Sequence, residues 1–363
     1  MEEKRIRRVR IALLGLGTVG TQLLLMLGRN EDGLRERYGV RVEVSKVLVR
    51  DKNKSRRVLL KDIELTTEAE EIFLDDRIDI VVDCMGGNGA EMTRDIILKS
   101  LQVGKSVVMS SKKCLATYGR EILRMADRHQ CGFRYDACVG GCIPISSILR
   151  TMSRGEELLS IYGILNASSN YILSKMREGL SYEEALRQAR ELGLTEEDPT
   201  DDVDGYDTLY KLIILTGFGM GVWFDPKDLT AIPLASVTKE AILEAEQNHS
   251  VIKAIGKITR NREGLSYYIG PSLEKKDSLL AGVGENYNMI IVETELSGIR
   301  AFYGQGAGAE PTASAMYDDI VSLLIMENKL SAPKAKVIPA LYHQGEGAMR
   351  TEDHIQPPSR LII

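Results

Sequence analysis

The chain has 363 residues, 44% of them hydrophobic, which is enough for a large core and for two domains. Its net charge is −5 and no long basic run follows the first ten residues, which argues against a nucleic-acid partner. No signal peptide, membrane-spanning run or CxxC pair is visible, and the four histidines lie outside every motif described below. We therefore expect a cytoplasmic protein with reduced thiols and without a histidine-based hydrolytic triad.

The first predicted element is a buried strand over 9–14, and a glycine-rich turn follows it directly. The turn has the GxGxxG spacing and consists of Gly15, Leu16, Gly17, Thr18, Val19 and Gly20. A helix is predicted over 21–27. In this context Gly15 permits the tight turn, Gly17 admits a pyrophosphate, and Gly20 allows close helix packing. The segment predicts a Rossmann domain whose turn binds a dinucleotide at a helix N-terminus; a plain glycine turn is the alternative.

The second predicted strand, over 41–49, ends in charged residues. In Rossmann domains this strand end meets the adenosine ribose, where an acid favours NAD and an arginine accommodates the 2′-phosphate of NADP. Arg50 favours NADP, with Lys52 and Lys54 as further cations, whereas Asp51 favours NAD. We predict NAD(P) with a preference for NADP; a solvated charged loop is the alternative.

Two further strands, over 78–84 and 106–110, are predicted to end at the same edge of the sheet. Ligands of open α/β sheets bind outside this edge. Four residues there are expected to contact the cofactor: Gly86, Gly87, Ser110 and Lys112. A surface position for Lys112 is the alternative. The remaining elements of this half are predicted as helices over 90–102 and 119–129 and a strand over 132–136.

The pattern changes after the small-residue turn that ends near residue 143. The next predicted elements are a helix over 145–152, a strand over 158–165, a polar loop from Asn166 to Asn170, and a helix over 171–177. Ser181 and Glu184 have the spacing of a capping box and predict the start of another helix.

The most polar segment of this half, from Asp198 to Lys211, leads into an apolar helix over 209–216. Asp207 and Lys211 are four residues apart and share one face of a helix. A helix that is apolar on every side is normally buried, and a buried ammonium needs a partner. This combination suits proton transfer at a reacting centre; a structural ion pair is the alternative.

A second glycine-rich loop, Gly304–Ala309, opens a helix predicted over 310–326 and indicates a return of the chain to the cofactor. Strands are predicted over 264–270 and 289–294. The predicted organisation is a nucleotide-binding domain (1–143), an α+β substrate and dimerisation domain (144–303), a return helix (304–330) and an extended or partly disordered tail (331–363).

Taken together, the motifs resemble those of homoserine dehydrogenases over about residues 9–324. They are the turn Gly15–Gly20, an altered Asn-Gly-Thr-x-Asn motif at Asn166–Asn170, an acidic signature, and the closing segment Gly304–Ser314. The acidic signature is the most specific and comprises Glu196, Asp198, Pro199, Asp202, Gly205, Asp207 and Lys211.

The resemblance implies NAD(P)-dependent interconversion of L-aspartate 4-semialdehyde and L-homoserine, in threonine and methionine biosynthesis. It implies the single-function form, without a regulatory ligand-binding domain. By matching position, the expected catalytic residues are Lys211, Asp207 and Lys112. Lys211 is the general acid, Asp207 orients it, and Lys112 lies between cofactor and substrate and shares the proton chemistry. The residues expected to bind substrate are Glu196, Asp202, Asp198, Asn166 and Ser168, and Gly304 and Gly306 are expected at the cofactor.

The resemblance also implies a monovalent-cation site for Na⁺ or K⁺, and a homodimer formed through the second domain. The cation would meet the carboxylate of Asp136 and the backbone at Val139, Gly141 and Ile143.

Three residues depart from the family pattern: Ser111 replaces the usual asparagine, and Ala167 and Cys142 replace glycines. A positive φ at Ala167 would be strained. Two alternatives therefore stay open. One is a dehydrogenase of the same build that acts on another small amino-aldehyde or amino-alcohol, and the other is a non-catalytic cofactor-binding protein.

Overall fold

Two β-sheets, one parallel and one antiparallel, organise the chain. The computed structural model describes residues 6–56, 58–86, 89–195, 197–306 and 308–327, all within one compact unit. The predictions made for Gly87, Glu196 and the tail 331–363 lie outside the described residues. Within those ranges, no helix has both the length and the apolar character needed to cross a membrane.

The first half alternates strands and helices. Its elements are β1 (Arg7–Leu14), α1 (Thr18–Arg29), α2 (Glu31–Tyr38), β2 (Val40–Leu48), β3 (Glu64–Thr66), α3 (Glu70–Phe73), β4 (Ile80–Asp83), α4 (Ala90–Gln102), β5 (Ser106–Val108), α5 (Lys112–Arg128) and β6 (Phe133–Arg134). The strands form a parallel sheet in the order β3-β2-β1-β4-β5-β6. This order reverses direction between β1 and β4, as in doubly wound dinucleotide-binding folds.

Both faces of β1 are buried, which explains its continuous apolar sequence. Successive side chains of a strand point to opposite faces of the sheet. Ile11 and Leu13 pack in a core cluster with residues of α1, and Ala12 and Leu14 pack in another with residues of α4 and α5. The parallel sheet is thus covered on both faces by helices.

The second half carries the antiparallel sheet. Its elements are α6 (Ile145–Met152), β7 (Leu158–Ile164), α7 (Ala167–Arg177), α8 (Tyr182–Glu191), α9 (Thr200–Val203), α10 (Tyr206–Met220), α11 (Lys239–Gln247), β8 (Ser250–Asn261), β9 (Gly264–Lys275), β10 (Tyr287–Thr294), β11 (Gly298–Gln305) and α12 (Ala309–Glu327). The sheet order is β11-β10-β7-β8-β9. Strands β8 and β11 were not anticipated by the sequence patterns.

The helix α10 is buried along most of its length and joins the two halves of the unit. It packs against α5 of the first half and against β7 and β8 of the second. The ring of Trp223 fills the space at Gly119 of α5 and Gly217 of α10, where an added Cβ would lie 2.3 Å from ring carbons. The prediction that the Lys211 helix is buried is confirmed.

Two predicted boundaries are wrong in a way that affects the site. Helix α5 begins at Lys112, not at residue 119, so this lysine lies in the first helical turn. Helix α7 begins at Ala167, so most of the predicted polar loop forms its first turn. Ala167 is not among the described non-glycine residues with positive φ, so the strain expected at this position is absent. The capping box of Ser181 and Glu184 is present as predicted.

Candidate active site

The glycine-rich turn after β1 leaves room for a ligand at the N-terminus of α1. Gly15 has φ +97°, and a Cβ at Gly20 would lie 2.5 Å from the Gly15 carbonyl oxygen, so neither position accepts a side chain. A Cβ at Gly17 would meet no atom within 4 Å. Gly17 is also the N-cap of α1 and has no capping side chain, so the first amides of the helix remain available to an anion. Thr18, which opens the helix, is exposed. The turn therefore fits a pyrophosphate.

A buried carboxylate, Asp83, holds the two neighbouring turns of the parallel sheet together. Its side chain accepts hydrogen bonds from the backbone N–H groups of Met85 (3.0 Å) and Ser111 (2.9 Å). The Ser110 hydroxyl donates to the Asp83 carbonyl at 2.7 Å, and the Ser111 hydroxyl donates to the Gly86 carbonyl at 3.2 Å. Burial raises the pKa of Asp83 against the opposing effect of these hydrogen bonds. Asp83 was missed in the sequence, where a polar residue ending an apolar strand was the only signal.

The loop after β2 is organised by an arginine that the sequence did not single out. The guanidinium of Arg56 donates to the carbonyls of Asp51 (2.6 Å) and Lys54 (2.8 Å). The Asp51 carboxylate accepts from the Asn53 N–H at 2.8 Å, which commits it to a local turn. Arg50 is exposed at the strand end.

Two lysines from different halves of the unit meet at one carboxylate, Asp207. Lys211 Nζ lies 2.8 Å from Asp207 Oδ2, one turn along α10. Lys112, at the start of α5, forms an ion pair with the other oxygen, Oδ1. The exposed fractions of the side chains are 2% for Asp207, 10% for Lys211 and 33% for Lys112. Lys112 is thus the member of this lysine–aspartate–lysine cluster that is most open to solvent.

The charges in this cluster stabilise one another. Burial opposes ionisation of Asp207, but the adjacent ammonium groups of Lys112 and Lys211 outweigh it and hold the Asp207 pKa below its ordinary value. Burial likewise opposes charge on Lys112, and the facing Asp207 reverses that effect and raises the Lys112 pKa. Both groups are therefore ionised at neutral pH, so the Lys112 ammonium faces a charged Asp207 carboxylate.

Asn166 links Asp202 to the lysine–aspartate–lysine cluster. The Asn166 Nδ2 atom donates to Asp202 Oδ1 (2.7 Å) and to Asp207 Oδ2 (2.8 Å). Asp202 is half-buried; burial raises its pKa, and the neighbouring Asp207 raises it further. Asp198 is exposed, and its carboxylate accepts from the Thr200 N–H (3.1 Å) and hydroxyl (2.6 Å) in a local turn. Asp198 and the cluster therefore share no hydrogen bond among those described.

Leu165 and Asn288, two residues of the second half, are linked to Lys211 through one carbonyl group. The Leu165 carbonyl accepts from Lys211 Nζ at 2.7 Å and from Asn288 Nδ2 at 3.1 Å. Asn288 lies on β10 and packs so tightly against Gly306 that a Cβ there would come within 2.1 Å of the Asn288 side chain. The hydroxyl of Ser168 is committed to the Leu194 carbonyl at 2.5 Å. Asn288 was also missed, because one asparagine in a strand has no distinguishing local pattern.

The small-residue turn after β6 packs against the end of β11. Asp136 is buried; its Oδ1 accepts from the Ser146 N–H at 2.6 Å, and its own N–H donates to Asp319 of α12 at 2.8 Å. The Cys142 N–H donates to the Gln305 carbonyl at 3.3 Å. A Cβ at Gly304 would lie 2.7 Å from Cys142 Sγ. Among the described residues, no cluster of three or more His, Cys, Asp or Glu side chains forms a metal site.

A doubly wound sheet with an open glycine turn, joined to a second sheet through a buried lysine–aspartate–lysine cluster, defines a two-domain NAD(P)-dependent dehydrogenase. The chain matches two family profiles, described as "Homoserine dehydrogenase, NAD binding domain" over residues 15–136 and "Homoserine dehydrogenase" over residues 144–321. It belongs to the homoserine dehydrogenase family.

Individual relatives agree with this assignment. The homoserine dehydrogenase of Lactococcus lactis is 35% identical over 322 residues, which are 88% of this chain and 75% of that protein. That of Synechocystis is 39% identical over 321 residues, covering 87% of this chain and 73% of the relative. The crystal structure of the Thiobacillus denitrificans homoserine dehydrogenase superposes with a TM-score of 0.84 at 33% identity, covering 89% of this chain and 74% of that one.

Proposed function

We propose that the chain interconverts L-aspartate 4-semialdehyde and L-homoserine with NAD(P), and that the lysine–aspartate–lysine cluster is its proton-transfer centre. The observation that carries the proposal is the meeting of Lys112, from the half that carries the glycine turn, and Lys211, from the other half, at Asp207. A bound nicotinamide supplies the hydride, so the protein has to bind and orient the reactants and supply a proton.

Lys211 is the proposed general acid. In the direction of reduction, its ammonium gives a proton to the aldehyde oxygen as that oxygen gains negative charge, and the product is the alcohol. In the reverse direction, the neutral amine accepts the proton of the substrate hydroxyl. Asp207 and the Leu165 carbonyl hold Nζ in place through contacts of 2.8 and 2.7 Å.

The remaining roles divide between cation and anion recognition. Lys112, partly exposed at the start of α5, attracts the carbonyl oxygen or the substrate carboxylate. Asp202 is a proposed partner of the substrate ammonium, and its half-buried carboxylate beside the cluster supports this role. Glu196, outside the described residues, is proposed as a second partner by its position in the family motif.

The activity is tested by following absorbance of reduced nicotinamide with purified protein, L-homoserine, and NAD or NADP at alkaline pH. Lys211→Ala should lower turnover by about two to four powers of ten and leave cofactor affinity unchanged. Lys227→Ala, which removes an exposed lysine elsewhere, is the matched control. Wild-type turnover in Lys211→Ala would remove it from the mechanism, and turnover of another amino-alcohol but not of homoserine would select the alternative substrate.

A preference for NADP is also proposed. Its support is that Arg50 is exposed at the end of β2 while the Asp51 carboxylate is committed to a local turn. Arg50→Ala should then raise the Kd for NADPH and leave that for NADH unchanged, as measured by fluorescence titration of each. An equal effect on both cofactors would contradict the assignment.

We further propose that Asp136 and the backbone at Val139, Gly141 and Ile143 bind Na⁺ or K⁺. The support is a buried carboxylate beside a tightly folded turn, in which a Cβ at Gly140 would fall 2.1 Å from the Ile143 carbonyl oxygen. Hard monovalent cations prefer carboxylate and carbonyl oxygens. The test compares turnover and thermal stability in NaCl, KCl and N-methylglucamine chloride at equal ionic strength. Identical results in all three salts would refute the site.

The antiparallel sheet supports a homodimer. One of its faces packs on α10, whereas the other carries Tyr162, Tyr287 and Tyr303 and remains partly open. Ile299 is 56% exposed and pairs in register with Glu293, which places it on this open face. Ile299→Asp should lower the mass measured by light scattering to that of a monomer. Leu74→Asp, at an exposed apolar residue elsewhere, should not.

A further inference from the structure

Both polar atoms of the Asn166 side-chain amide form hydrogen bonds within the protein. It is buried between β7 and α7, its two Nδ2 hydrogens go to Asp202 and Asp207, and its Oδ1 accepts from the Ser169 N–H at 2.7 Å. The reversed amide would set Oδ1 against two carboxylates and Nδ2 against an N–H donor, so the contacts fix its orientation. No side-chain N–H of Asn166 is left for a substrate, in contrast to the substrate-binding role implied by the family motif.

The two acceptors belong to separate parts of the site. Asp207 Oδ2, which accepts from Asn166, is the same oxygen that contacts Lys211 Nζ at 2.8 Å. Asp202 lies on the short helix α9 of the acidic segment. Two carboxylates within one hydrogen bond of a common nitrogen repel each other unless a donor lies between them. The amide supplies that donor without adding a charge.

We propose that Asn166 is a positioning residue whose amide spans Asp202 and Asp207, and so fixes the proposed ammonium-binding carboxylate relative to the proton-donating Lys211. The inference rests on the proposed function for the roles of Asp202 and Lys211. The bridge itself rests only on the hydrogen bonds of Asn166. The competing role is purely structural, because Asn166 is also the N-cap of α7.

Asn166→Ser separates the two roles. A serine hydroxyl remains a good N-cap for the Ser169 N–H, but it cannot donate two hydrogen bonds to both carboxylates. Asn166→Asp keeps the shape of the side chain and the N-cap of α7. It replaces the donating amide nitrogen with an oxygen, which places a third carboxylate beside Asp202 and Asp207. Thr238→Ala is the control, because Thr238 caps α11 through the Ala241 N–H at 3.1 Å, outside the site.

The expected result is a change in catalysis with cofactor binding intact. A misplaced carboxylate pair should lower kcat/KM by about 100-fold in Asn166→Ser. Loss of the shared donor should move the acid limb of the kcat/KM profile up by about one pH unit, and further in Asn166→Asp. The Kd for NADPH should stay at the wild-type value. A wild-type pH profile and kcat/KM in Asn166→Ser would overturn the proposal and leave Asn166 as a cap.

A readout that is independent of substrate separates this inference from the proposed function. The urea midpoint of Asn166→Ser, relative to wild type, should be lowest at pH 7 and should recover toward pH 4. Asp202, whose pKa is raised, then becomes protonated and no longer needs the donor, whereas Asp207 stays ionised beside Lys112 and Lys211. The deficit of Thr238→Ala should stay constant over that range. A wild-type enzyme that does not oxidise homoserine would refute the function. A pH-independent deficit in Asn166→Ser would refute the bridge.

Discussion

Asp207→Asn is the perturbation that most directly tests the electrostatics of the site. The substitution keeps the shape of the side chain but removes the charge that faces Lys112 and Lys211. Lys211 is nearly buried and only 2.8 Å from the carboxylate, so its ammonium would lose its nearest counter-charge. Breaking a buried ion pair by removing one partner costs about 3–5 kcal/mol. Lys112 adds little to this figure, because its side chain is 33% exposed and water screens it.

The free energy of unfolding, measured with urea at pH 7, should therefore fall by about 3–5 kcal/mol in Asp207→Asn. Because the Asp207 pKa is held below its ordinary value of 3.8, this stabilisation is present at neutral pH and is lost as the pH falls below that value. The difference between wild type and variant should therefore shrink in acid. If part of the same energy holds Lys211 during proton transfer, turnover should fall by about two to three powers of ten.

The control is Asp201→Asn, which makes the same change in net charge at an exposed position one helix away. It should unfold within about 0.5 kcal/mol of wild type, as exposed substitutions usually do. Two results would refute the reasoning: an Asp207→Asn protein with wild-type stability and turnover, or an equal loss in Asp201→Asn. Either would mean that the cluster contributes no more than surface charge.

Two further predictions concern the cofactor turn and a buried lysine outside the site. Gly20→Val should raise the Kd for NADPH, measured by fluorescence titration, at least about tenfold. The reason is that the added Cβ would lie 2.5 Å from the Gly15 carbonyl oxygen and displace the turn. The control is Gly28→Ala, whose added Cβ meets open space on the same helix, and it should bind NADPH normally. Lys253 is buried, and its acceptors among the described residues are the Asn170 amide oxygen and the Val283 carbonyl; burial lowers its pKa from 10.5 to about 8. Between these two pH values Lys253 is protonated in the unfolded chain and neutral in the native protein. The free energy of unfolding of the wild type should therefore rise as the pH increases through that range. Lys253→Met should lack this rise in urea unfolding, and parallel stability profiles for the two proteins would contradict the assigned cause.

Much of the first half could be predicted because its signals are local. The GxGxxG spacing identified the turn after β1, and helix α4 was predicted with its observed bounds, 90–102. The capping box at Ser181 and the four-residue spacing of Asp207 and Lys211 were likewise found from a few neighbouring residues.

Strands β8 and β11 were harder to recognise because their residues do not carry a clean alternation. In β8, Lys253 is buried although it is charged, and Lys257 lies over the ring of Tyr162. In β11, an edge strand, exposure alternates but no residue is fully buried. Sequence alternation is informative only when polar and apolar side chains follow the two faces. In β8 a lysine is buried, and in β11 the apolar residues Ile299 and Tyr303 lie on the exposed face.

The glycine turn, the buried helix with its ion pair, and the residue types available for proton transfer could all be predicted from local patterns, because they depend on contacts within one or two helical turns. Three long-range contacts could be recognised only in the folded molecule. Lys112 reaches Asp207 from another half of the unit, Asp83 joins two turns, and Asn166 spans two carboxylates. Such contacts join residues far apart in the chain, and a local sequence pattern carries no record of which distant partners a fold brings within hydrogen-bond distance.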